Sequence, residues 1–517
     1  MNLKNSTSNM KYPIGIQTFG EIIEDGYVYI DKTKSIYKLI SEGKVYFLSR
    51  PRRFGKSLLL STLRAIFEGR KDLFKGLFIE EKIEWKKYPV VHISLNTISN
   101  KETDLRVALW DMLNVNAGKY EILLEGRTLG GRFSELMEKL STKDRVVLLI
   151  DEYDKPLISF MEDRETFEKN RAVLKEFYGV IKDADRYLKF VFITGVSRFS
   201  KVSIFSDLNN LRDISMEPGY SDICGYSESD MHQYFTERVA ELAVERKIST
   251  EELFGKIKEK YNGYNFYGKE RMYNPWSVLH FLQTGELDNY WFLSGTPTFL
   301  TQFANRLQSN AEGVIVDKME LAHLNFQDEN LTTLLYQTGY LTIGEEIEKG
   351  ILRLKHPNLE VAESFRLVLL TQFAHVSQGK IRESVISLRK AMETKSAEAL
   401  KNAINPIFAN IPHQIFNKNH ESYYHSVMYL VFMMLHYNIE SEISTNVGRI
   451  DTVIATWNEV WIFEFKFNKT AEIAFQQIID NDYAAKYRNS GKAIYGVGVN
   501  FDSTEKCITA VKIEKII

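Results

Sequence analysis

Residues 45–57 run Val-Tyr-Phe-Leu-Ser-Arg-Pro-Arg-Arg-Phe-Gly-Lys-Ser, and no other segment restricts the fold of this chain as strongly. An apolar, strand-forming run ends at Ser49, and a Gly-Lys-Ser tripeptide then opens a stretch with helical periodicity. A strand that turns through glycine into a helix start presents backbone amides and the positive end of a helix dipole. That geometry suits a chain of phosphates. In such a loop Gly55 permits close backbone approach, Lys56 reaches the β and γ phosphates, and Ser57 ligates Mg²⁺, with Arg53 and Phe54 completing the cradle. Arg50 stands where the first loop glycine usually does, and a bare Gly-Lys-Ser is common by chance. The surrounding pattern has to decide.

The first half of the chain alternates short apolar runs with helical stretches, which predicts a parallel α/β sheet. Strands are expected at Val45–Ser49, Val90–Leu95, Val146–Ile150 and Phe190–Thr194, with helices at Ser57–Glu68 and Arg171–Lys182. The strand from Val146 ends in Asp151 and Glu152. Asp151 is placed to hold Mg²⁺ and Glu152 to polarise an attacking water as general base. The strand from Phe190 ends near Thr194 and Ser197, where a hydroxyl can sense the terminal phosphate. Three strand ends in chain order carry the parts of an ATP·Mg²⁺ site. Arg198, Lys201 and Arg212 are candidate arginine-finger cations, with a solvated basic loop as the plainer reading of each.

Ser227-Glu-Ser-Asp230 reads as a helix start, and a mainly helical second domain follows to about Ile343. A hairpin is expected between Glu345 and Val361, then helices to Ala409. Beyond Ile411 the pattern is helix, hairpin, helix, strand. The resulting division is 1–220, 221–345, 346–410 and 411–517.

In the last segment, Gly448–Thr456 and Val460–Phe467 read as two strands joined by a tight turn. A turn at Trp457-Asn458 sets Asp451 opposite Glu464; a turn at Asn458-Glu459 sets it opposite Lys466. Side chains alternate with period two, so either register puts Asp451, Glu464 and Lys466 on one face. Two carboxylates that hold divalent metal, with a lysine to orient water, suit phosphodiester hydrolysis. Upstream, Glu421 is a further candidate metal ligand; downstream, Gln477 and Tyr483 are candidate supports. The plainer reading is a solvent-side cross-strand ion pair worth about 0.2–1 kcal/mol. Residues 411–517 hold 10 Lys and Arg against 12 Asp and Glu, a net of −2, so this segment lacks a basic field for gripping nucleic acid.

Several unusual runs point the same way. They are Tyr29-Ile-Asp-Lys-Thr33, Phe47–Ser57, Leu149-Ile-Asp-Glu-Tyr-Asp-Lys-Pro156, Thr194–Phe205, Tyr273-Asn-Pro275, Gln337-Thr-Gly-Tyr-Leu-Thr342, Gly448-Arg-Ile-Asp451 and Phe463-Glu-Phe-Lys466. Together they resemble a bacterial family in which an AAA-ATPase-like domain is followed by a PD-(D/E)xK nuclease-superfamily domain. In that family the Arg-Pro-Arg-Arg-Phe-Gly-Lys-Ser run is usual. The resemblance implies an AAA-like P-loop core, a helical lid, and a small C-terminal restriction-endonuclease-like α/β domain. It also implies Asp451, Glu464 and Lys466 as active-site residues, with Glu421 and Gln477 in support.

The expected function is ATP binding and hydrolysis, coupled to Mg²⁺-dependent action on nucleic acid, DNA ahead of RNA. The alternative is a nucleotide-driven switch whose C-terminal domain only binds nucleic acid or a partner. A homo-oligomer is compatible with either. The overall charge of −2 leaves no global attraction to nucleic acid, and two cysteines cannot build a disulfide framework or a cysteine zinc site. The polar N-terminus lacks a signal-peptide core, and the most apolar stretch, Tyr423–Tyr437, is too short to span a bilayer. A cytoplasmic protein with no membrane partner is expected.

Overall fold

The computed structural model describes residues 10–96, 104–161, 163–198, 204–205, 208–293, 313–322, 331–409, 420–435, 437–444 and 449–517. Its strands in the N-terminal half are β1 (Val45–Ser49), β2 (Val90–Ser94), β3 (Val146–Asp151), β4 (Leu188–Gly195) and the two-residue β5 (Arg212–Asp213). They form one parallel sheet in the order β2-β3-β4-β1-β5. Every residue of β1 and β3 is buried, which is why both read as unbroken apolar runs. The four expected strands form with ends shifted by at most two residues. The expected helix from Arg171 instead begins at Arg164, where Asp163 accepts from the Thr166 amide as N-cap.

This strand order fixes where chemistry can occur. β1 lies beside β4, and β4 beside β3, so the loop leaving Ser49 emerges next to the carboxyl ends of both. Ligands of open α/β sheets bind at such an edge.

The helical portion begins as the sequence indicates. Ser227 and Asp230 bond reciprocally, side chain to backbone, and start helix Glu228–Arg246. Helices Thr250–Tyr261 and Pro275–Thr284 pack with it around Phe235, Leu242, Ile257, Val278 and Phe281. An antiparallel sheet follows, ordered β6-β8-β7 from β6 (Ile315–Asp317), β7 (Thr342–Glu348) and β8 (Ile351–Lys355). The described residues divide into two compact units, one holding residues to 294 and from 311 to 361, the other holding those from 362 onward.

The second unit carries helices Gln378–Thr394, Ala397–Phe408 and His420–Met433 and a five-stranded mixed sheet. That sheet runs β13-β12-β11-β10-β9, from β9 (Asn438–Ser444), β10 (Arg449–Ala455), β11 (Glu459–Phe467), β12 (Ala493–Asp502) and β13 (Cys507–Lys515). Two strands exceed the sequence expectation: β9, and one of the final pair β12 and β13. Helix Ala471–Asp480 packs closely against β12, because Gly498 offers no Cβ; one added there would lie 2.2 Å from the Ala471 carbonyl. Among the described residues, no helix is long and apolar enough to cross a membrane.

Candidate functional sites at two sheet edges

The phosphate loop is held open by backbone geometry. Arg53 and Gly55 adopt left-handed conformations (φ 68° and 88°), which turn the chain sharply into helix Lys56–Phe67. The Lys56 ammonium is buried and donates to the Arg50 and Pro51 carbonyls at 2.9 and 3.1 Å. Burial lowers its pKa, while Asp151 and Glu152 pull the other way. Ser57 Oγ donates to one oxygen of Asp151 at 2.6 Å, and Thr194 Oγ1 donates to the other at 2.6 Å. Asp151 thus joins the helix start to the end of β4, and the donor set Ser57–Asp151 fits a magnesium ion. Glu152 stands beside it at φ 52°, its carboxyl raised chiefly by burial and held down in part by Lys56.

A cavity of about 300 Å³ opens over these groups. Arg52, Arg53, Gly55, Lys56 and Ser57 of the phosphate loop line part of its wall, Glu152 and Asp154 another part, and Pro275 and Trp276 a third. The Arg53 guanidinium sits 4.2 Å over the Trp276 ring. Phe54 points elsewhere: its ring is buried edge-on against Tyr264 and Phe266, leaving its backbone amide as its contribution to the loop.

Sequence reasoning missed two residues. Arg50, in place of the first glycine, is buried and ties the loop to distant backbone. It donates to Ser49 O and Ser215 O at 2.9 Å and to Tyr220 O at 3.0 Å, over the Phe266 ring at 4.0 Å. Burial draws its pKa down to about 10. Asp154, fourth in the Asp-Glu-Tyr-Asp run, is buried and accepts from Val196 N (3.0 Å), Ser197 N (2.6 Å) and Ser197 Oγ (2.6 Å). It clamps the turn that follows Thr194. Asp154→Ala would orphan three buried donors and is expected to cost about 3–4 kcal/mol, against about 1–2 for Asp154→Asn, which keeps an acceptor oxygen. Chemical denaturation of the three proteins, compared at constant slope, checks that ranking.

Of the arginine-finger candidates, Arg198 pairs with Asp213 at 2.5 Å and Arg212 with Glu217 at 2.8 Å. Lys201 lies outside the described residues.

In the second unit the hairpin takes the first of the two registers. Thr452 faces Phe463, Ala455 faces Val460, and Thr456 N donates to Glu459 O across a turn at Trp457-Asn458. Asp451 accepts from the Phe465 amide at 2.8 Å, and Lys466 Nζ donates to Glu464 Oε1 at 2.8 Å. Glu464 is 2% exposed, and its Oε2 has no hydrogen-bond partner among the described residues. Burial, then the neighbouring Asp451, push its pKa up to about 7, with Lys466 opposing. Glu464 is therefore a buried carboxylate rather than a solvent-side member of an ion pair.

Glu421 falls in the first turn of helix His420–Met433, and its side chain lies outside the described residues. Among those residues no group of three or more His, Cys, Asp or Glu forms a metal-binding set. Asp451 and Glu464, with an unpartnered oxygen on one, fit the two-carboxylate part of such a site. Gln477 Nε2 donates to Tyr483 Oη at 3.2 Å, joined there by Asn481 Nδ2 at 3.0 Å.

Residues 13–205 match the family model described as a predicted AAA-ATPase, and residues 419–511 match that of the PD-(D/E)XK nuclease superfamily. The chain is 37% identical over 526 residues to a curated protein of Azotobacter chroococcum mcd 1, described as an uncharacterised protein in the vnfD 5′ region. The match covers 98% of this chain and 100% of that one.

Proposed function

Since the chain belongs to the family of AAA-ATPase-like proteins with a C-terminal PD-(D/E)XK nuclease-superfamily domain, we propose that it binds and hydrolyses ATP in the first unit and cleaves nucleic acid in the second. The observation that carries the nuclease half is Glu464. A nearly inaccessible carboxylate with one oxygen unpartnered among the described residues, beside Asp451 and Lys466, is costly for a fold to keep. A divalent cation there would offset that cost and supply positive charge to a phosphodiester.

In the first unit, Lys56 would release the Arg50 and Pro51 carbonyls to meet the phosphates, and Ser57 with Asp151 would hold magnesium. Glu152, its proton affinity raised by burial, accepts the proton of the attacking water, while Thr194 keeps Asp151 oriented. In the second unit, Asp451 and Glu464 would hold the metal, which would supply positive charge to the phosphodiester, and Lys466 would steady the attacking water. Residues 411–517 carry a net charge of −2, so substrate is gripped partly by other surfaces of the chain or by a second copy.

The test is a cleavage panel of single- and double-stranded DNA and RNA, with Mg²⁺ or Mn²⁺, with and without ATP. Wild type cuts at least one substrate, DNA before RNA; Lys466→Ala abolishes cutting, and Lys56→Ala changes its response to ATP. Cleavage persisting at wild-type rate in Lys466→Ala removes Asp451, Glu464 and Lys466 from the reaction. No cleavage on any substrate, with ATP binding intact, leaves a nucleotide-driven switch.

A further inference from the structure

Next to the Pro275 and Trp276 wall of the nucleotide cavity lies a buried carboxylate that the chemistry above does not use. Glu360 is completely inaccessible to solvent, although it stands at the second residue of helix Leu359–Ala374. Its Oε2 accepts from Ser277 Oγ at 2.7 Å, and its Oε1 accepts from the backbone amide of Trp291 at 2.7 Å. The Trp291 indole in turn donates from Nε1 to the carbonyl of Arg52 at 3.2 Å.

Each end of this chain of bonds reaches the cavity. Ser277 follows Pro275 and Trp276, which line the wall. Arg52 is part of the phosphate loop on the other side. The two sides also meet across the opening, where the Arg53 guanidinium lies over Trp276. We propose that Glu360 is a positioning residue for the nucleotide: its two carboxylate oxygens fix the spacing between the phosphate loop and the wall bearing Pro275 and Trp276. The inference rests on the reading that this cavity takes ATP.

Reach and acceptor geometry matter here more than charge. A glutamine at 360 has the same length; its oxygen still accepts from the Trp291 amide, and its NH₂ donates to Ser277 Oγ, because a hydroxyl can accept as well as donate. An aspartate keeps the charge but is one methylene shorter, and cannot span both partners without drawing them together. Charge-based and spacing-based roles therefore predict opposite rankings. With no Nε1–H to give, Trp291→Phe cuts the same chain at its other end.

Calorimetric titration of the full-length chain with Mg·ATP tests this. Glu360→Asp is expected to weaken binding about tenfold, Glu360→Gln by less than threefold, and Trp291→Phe by about three- to tenfold. The double variant Glu360→Asp/Trp291→Phe should fall well short of the product of the single losses, since both break one path. Ser277→Ala, a mild truncation, supplies the same reading from the wall side if Glu360→Asp fails to fold. Equal affinities for Glu360→Asp and wild type, or a Glu360→Gln as impaired as Glu360→Asp, overturn the proposal while leaving ATP binding intact. A wild-type chain that takes no Mg·ATP overturns both.

Discussion

Replacing Lys56 with alanine is expected to lower the affinity for Mg·ATP by about 10²–10³-fold while changing unfolding stability by only about 1 kcal/mol. The two effects separate because the ammonium has different work in the two states. Without nucleotide it satisfies the Arg50 and Pro51 carbonyls at 2.9 and 3.1 Å, but pays for burial with a lowered pKa. Alanine gives up those two bonds and also removes a buried charge, so the terms largely cancel. With nucleotide, nothing replaces a charge-assisted bond to the β and γ phosphates. Calorimetry with Mg·ATP and denaturant melts of the same preparations check the pair of numbers. A loss of affinity below about tenfold would mean that the phosphates lie somewhere other than against this loop.

That site was largely legible because its parts are local. β1, β3 and β4 are buried along nearly their whole length, so each announces itself as a continuous apolar run, and the residues at their ends follow by counting. The Ser227 helix start is equally local, four residues closing on themselves. What escaped sequence reading depends on distant partners. Arg50 stands in sequence only as a departure from the usual loop glycine, yet its guanidinium donates to the carbonyls of Ser215 and Tyr220, far along the chain. Asp154 and Glu360 are ordinary acids in sequence; only the turn after Thr194 and the packing of Ser277 and Trp291 give them roles.

In the second unit, alternation placed Asp451, Glu464 and Lys466 on one face in either register, and the structure selected the turn at Trp457-Asn458. The burial of Glu464 was not legible. Period-two alternation says which face a residue shares but not what covers that face, so the 2% exposure of Glu464 could not be counted off the strand.

Glu464 carries the second large effect, and its sign depends on pH. A carboxylate whose pKa rises to about 7 on folding, from an ordinary value near 4.5, is ionised at a cost above neutrality. That cost is absent below about pH 4, where the group is mostly protonated in both states, and grows as pH rises through the interval to 7. Glu464→Gln, which cannot ionise, is therefore expected to stabilise the metal-free protein by on the order of 1–2 kcal/mol at pH 8 and hardly at all at pH 4. Lys466, 2.8 Å away, already opposes that rise, so its attraction is contained in the shifted value. The same substitution should reduce metal-dependent cleavage by at least about 10²–10³-fold. In the wild type, metal must displace the proton that Glu464 holds at neutral pH, so Mn²⁺ affinity should tighten as pH rises from 6 to 8, with proton release on binding. Thermal melts at the two pH values, with Mn²⁺ titrations in buffers of different ionisation enthalpy, measure all three quantities. A Glu464→Gln protein less stable than wild type at pH 8 without metal would show that the carboxylate is a structural ion-pair partner of Lys466, and would remove Glu464 from the metal site proposed with Asp451.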